Sequence, residues 1–154
     1  MRSERIRRAT GLSPWSVVGL AGLGAPRAVA HDLGPVDATV NAVLVFAPLA
    51  LWLVVVLWRR VPNPLVTLIT VGLAYGLVLG VVHQMLWTYA YDGDPPSLGG
   101  NLADRLPPIV EAAVIRGSAL VSSVVTGALV GAAVGAVGWL LARVVPAPHS
   151  DRPV

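Results

Sequence analysis

The chain has 154 residues, 55% of them hydrophobic and only 12% charged, with a mean hydropathy of +0.73, which excludes an ordinary soluble domain and reads as a membrane protein. Its formal charge of +3 comes with no basic cluster interleaved with aromatics on one face, so nucleic acid is not an expected partner. The absence of cysteine excludes disulfides, thiolate metal sites and cysteine nucleophiles.

In chain order, the first thirty residues begin with the basic stretch MRSERIRR, four arginines against one glutamate. A short apolar core around Val17–Ala25 and the small-residue triplet Ala28-Val29-Ala30 follow. These are the three regions of a signal peptide, with cleavage expected after Ala30, or of a retained signal anchor. Arg7-Arg8 is not followed by the apolar residues a twin-arginine signal would need.

Three apolar runs are long enough for a bilayer core of about 30 Å, which needs about 20 helical residues. The first covers about 38–58, contains Pro48 and stops at Arg59-Arg60. Pro48 removes one backbone hydrogen bond and predicts a local bend. The turn 61–64 reverses the chain into a second run, about 65–90, which ends in the interfacial aromatics Trp87, Tyr89 and Tyr91. Asp-Gly, Pro-Pro and Gly-Gly pairs make 92–100 an irregular loop. From Pro107 a helix is expected to run without a break into the third membrane helix, to about 145 with the membrane part from about 118; Asp104 is the candidate cap. Glu111 and Arg116 lie too far apart for a favourable helical pair and read as separately solvated. The proline-rich residues 146–154 read as a disordered cytoplasmic tail.

Charge sets an orientation. If the leader enters the membrane from the cytoplasm, Arg59-Arg60 and Arg143 fall inside, while Asp32, Asp37 and the loop 91–117, four acids against two arginines, fall outside. The expected fold is therefore an all-α integral membrane bundle of three core helices plus an N-terminal signal or anchor helix. Its expected place is a bacterial inner membrane, with the lipid bilayer as first partner, the mature N-terminus outside and the C-terminus in the cytoplasm.

Two rows of small residues recur at intervals of four: Gly72, Gly76 and Gly80 in the second run, and Gly127, Gly131 and Gly135 in the third. Lipid offers no hydrophobic drive between helices, so close backbone approach at small residues supplies the packing energy, and two such rows in tethered neighbours most simply face each other. His83 and Gln84 follow one turn after Gly80 and should point into the bundle, at the depth of Ser122, Ser123 and Thr126. This five-member cluster either fastens helices by hydrogen bonds or serves as a site. A copper site would draw on His31, as the first residue after cleavage, with His83 and Met85. No protease, hydrolase, nucleotide-loop or dinucleotide motif is present. The expected role is non-catalytic and without a cofactor: an accessory, scaffold or assembly subunit acting through helix packing, as a homo-oligomer or with another membrane protein. The alternative is an oligomeric small transporter or metal-handling component.

Overall fold

The structure, a computed structural model, describes residues 2–144; the expected tail at 146–154 lies outside the described residues. All the regular elements among them are helical: α1 Arg2–Thr10, α2 Pro14–Gly22, α3 Ala25–Leu33, α4 Ala38–Trp58, α5 Pro64–Met85, α6 Trp87–Ala90 and α7 Pro108–Val144, with a single 3-10 turn at Gly100–Leu102. Three of them, α4, α5 and α7, with 21, 22 and 37 residues, are long and apolar enough to cross a membrane.

Local chemistry explains where these helices begin. The Asp37 side chain accepts from the backbone N–H of Thr39 and Val40, at 2.8 and 3.3 Å, and caps α4; these bonds hold its carboxyl below the ordinary value of 3.8. Asn63 caps α5 by accepting from Val66 N–H at 3.2 Å, with Pro64 in the first turn where its missing donor costs nothing. The second run is not one helix to residue 90: it stops at Met85, and Trp87–Ala90 forms a separate turn. Asp104 does not cap α7. It has a φ of 54° and lies four residues ahead of the first helical residue. From Pro108 the helix continues to Val144, about 55 Å at 1.5 Å per residue.

Residues 2–33 form three short helices instead of a single leader helix, and they pack along α5. The contacts run in order. Thr67 Oγ donates to Thr10 O at 2.8 Å near the start of α5, Gly24 lies against Tyr75 at its middle, and Asp32 meets His83 near its end. Thr67 and His83 are about 24 Å apart along the helix axis. Residues 10–32 thus run parallel to α5 over most of its length. Leu12, Val17 and Leu20 join Trp52, Val56, Val61, Leu68 and Val71 in one buried core. Trp52 Nε1 donates to Leu20 O at 2.8 Å, and its ring meets Tyr75 edge-on at 5.5 Å.

The result is a bundle of four layers in which successive segments alternate in direction, α2 and α3 together forming the first. Arg7, Arg8, Arg59, Arg60 and Arg143 sit at one end of the bundle, and the loop with Asp92, Asp94 and Asp104 at the other. We call these the arginine end and the acidic end.

Candidate functional site

The two small-residue rows lie against each other along α5 and α7. Gly72 is pressed against Gly127 and Gly131, and Gly76 against Ser123 and Val124. A Cβ on Gly76 would stand 2.6 Å from Ser123 O and 2.7 Å from Val124 Cα, so no side chain fits there without moving α7. Leu120 covers Gly80, and Leu65 covers Gly135. The seam extends one step further than the four-residue interval suggests: Gly138 is buried, facing Leu53, Leu68 and Pro64. Gly138 follows Gly135 by three residues, the other spacing that keeps a helical face, so a four-residue interval does not reveal it.

At the acidic end this seam opens onto polar groups. His83 Nδ1 lies 2.6 Å from Asp32 Oδ2, and the Asp32 side chain is only 5% exposed against 32% for His83. The sequence places Asp32 in an external segment; the fold turns it inward from the last turn of α3. A cavity of about 340 Å³ is lined by this pair together with His31, Trp87, Tyr91, Ser122 and Ser123. Ser123 also donates to Ala119 O at 2.9 Å.

The expected five-member cluster is therefore split. His83, Ser122 and Ser123 line the cavity, whereas Thr126 is exposed on α7. Gln84 lies outside the cavity, where its amide donates to Arg116 O at 3.1 Å and accepts from Arg116 Nη1 at 3.4 Å. The Arg116 guanidinium also covers the Trp87 ring at 4.9 Å. Glu111 accepts from Leu98 N–H at 2.6 Å and fastens the loop to α7. Glu111 and Arg116 do not pair with each other, as their spacing implies, but each also has a partner in the protein and is not held by solvent alone.

Of the candidate metal ligands, His31 and His83 line this cavity and Met85 does not. Met85 is 77% exposed, and among the described residues no three His, Cys, Asp or Glu side chains are placed to hold one ion. What the site offers chemically is a buried carboxylate with an imidazole donor or acceptor, hydroxyls and aromatic walls. Comparison with protein-family models, with curated proteins and with solved structures finds no match.

Proposed function

We propose that this chain is a non-catalytic inner-membrane subunit of the accessory or scaffold type, which retains its N-terminal segment as a signal anchor and binds another membrane helix. The retained segment crosses as the broken pass α2 and α3, so the arginine end, with both termini, faces the cytoplasm and the acidic loop faces out. The positive-inside rule supports that orientation at every basic cluster.

One observation carries the scaffold reading: an apolar groove of about 370 Å³ between α4 and α7, lined by Phe46, Leu49, Ala50, Leu53, Ala133, Val134 and Val137. Alanines on both walls allow a third backbone to come close, the condition for helix association in lipid. The cysteine-free background makes the test clean. Ala50→Cys and Ala133→Cys should give crosslinked products with another polypeptide, or with a second copy, in native membranes, and Leu129→Cys, on exposed α7 surface, should not. Equal yields at all three positions would overturn the reading.

The cavity around Asp32 and His83 favours a second reading, a small transporter or ligand-handling component. The two separate on variants. If His83→Ala and Gln84→Ala leave growth and transport unchanged while Gly76→Leu or Gly131→Leu destroys accumulation, the polar groups act as fasteners; the reverse pattern supports transport.

A further inference from the structure

We infer that the cleft between the end of α3 and the start of α4 binds the phosphate of a membrane phospholipid headgroup, with Arg27 as its principal cation. Arg27 and His31 are one helical turn apart and share a face of α3. With Asn41 from the first turn of α4 and the connecting residues Gly34, Pro35 and Val36, they line an open cleft of about 450 Å³.

Arg27 is the unusual member. Its Nε is buried with no hydrogen-bond acceptor, and no carboxylate forms an ion pair with its guanidinium among the described residues. A guanidinium cannot shed its proton, so one with a buried donor left without an acceptor is favoured by a nearby anion. The acids nearest in sequence are committed elsewhere: Asp32 turns to His83, and Asp37 accepts from the backbone of Thr39 and Val40. The planar donor fork of arginine fits two phosphate oxygens, with the Asn41 amide and the His31 ring as further donors.

Position favours a lipid over free phosphate. The cleft lies where α4 begins, the level at which a spanning helix meets headgroups, and Val40 and Val43 are exposed along the adjoining turns of α4, where acyl chains would run. A headgroup held there would brace the connection between α3 and α4.

The test uses the full chain, purified in a neutral detergent and followed by thermal unfolding. Phosphatidylglycerol at saturation should raise Tm by roughly 5 °C, whereas diacylglycerol, which lacks the phosphate, and inorganic phosphate alone should not. Arg27→Gln should abolish the rise, Arg27→Lys should keep part of it, and Asn41→Ala, which leaves the charge in place, should weaken it. An equal response to diacylglycerol, an equal response to inorganic phosphate, or a full rise in Arg27→Gln would each overturn the assignment. If Arg27→Gln does not fold, the Asn41→Ala titration decides: a saturation point unchanged from the parent chain counts against the site.

Discussion

Two hydrogen bonds of long sequence separation show how single side chains commit the N-terminal segment to the bundle. Trp52 is fully buried, and its indole N–H reaches Leu20 O, 32 residues away. Leu20 O also accepts from Leu23 N–H, so Trp52→Phe removes one bond without stranding the carbonyl. The expected cost is about 1 kcal/mol, read as a Tm lower by about 2–4 °C. The Asp32 and His83 pair behaves differently, because each partner is left with an unmatched polar group when the other is removed. Asp32→Ala and His83→Ala should therefore be non-additive, the double variant losing less than the sum by about 0.5–3 kcal/mol in a double-mutant cycle. Additive losses would mean that the 2.6 Å contact contributes nothing. The inward direction of His83 is legible from the sequence, since it follows Gly80 by three residues on a helix. Asp32 is not, because a carboxylate between a histidine and a leucine near prolines and glycines carries no mark of a partner 51 residues on. Thr126 fails for a related reason: depth in the membrane can be counted along a helix, but the side of the helix at which a neighbour lies cannot be fixed by depth alone.

Among elements, the seam of α5 and α7 sets the energetic scale. Gly76→Ala should destabilise by about 1–3 kcal/mol, the usual range for overpacking, since its methyl would meet backbone and not a flexible side chain. Gly19 in α2 and Gly117 in α7 meet nothing within 4 Å, so the same change there should be neutral or stabilising by up to about 1 kcal/mol. Tm values for these three variants check the contrast: equal losses would mean that glycine acts through backbone freedom and not through proximity. The three long helices are legible because an apolar run of about 20 residues has few other stable forms. The break at Leu86 was hidden, since Trp87, Tyr89 and Tyr91 suit an interfacial helix end and a separate interfacial turn equally well. The N-terminal segment is the hardest case. A basic start, a short apolar core and small residues describe a signal sequence and a broken membrane pass alike, and only distant partners, Trp52 and Thr67, distinguish the buried arrangement seen here.

For the molecule as a whole, the N-terminal segment covers a core that the other helices leave open on that side. Deleting residues 1–30 would uncover Trp52, Leu68 and Val71, and the truncated chain should fail to accumulate in membranes. If the segment is retained as proposed, protein isolated from membranes has the intact mass of 16.0 kDa, whereas a species starting at His31 would establish cleavage. Orientation can be read on the same cysteine-free background: an impermeant maleimide applied to intact cells should label Asp94→Cys and leave Arg143→Cys untouched.

The seam has one more consequence. Because its small residues recur every four positions, moving α7 along α5 by four residues, about 6 Å at 1.5 Å per residue, would again place small residues opposite small residues. The repeat therefore provides closeness but little register. Alignment is selected by contacts that do not repeat: Leu120 over Gly80, Leu65 over Gly135, and the Gln84 to Arg116 bonds beyond the row. These act as detents on an otherwise evenly toothed track, and weakening them would release axial sliding of the longest helix before it separated the pair.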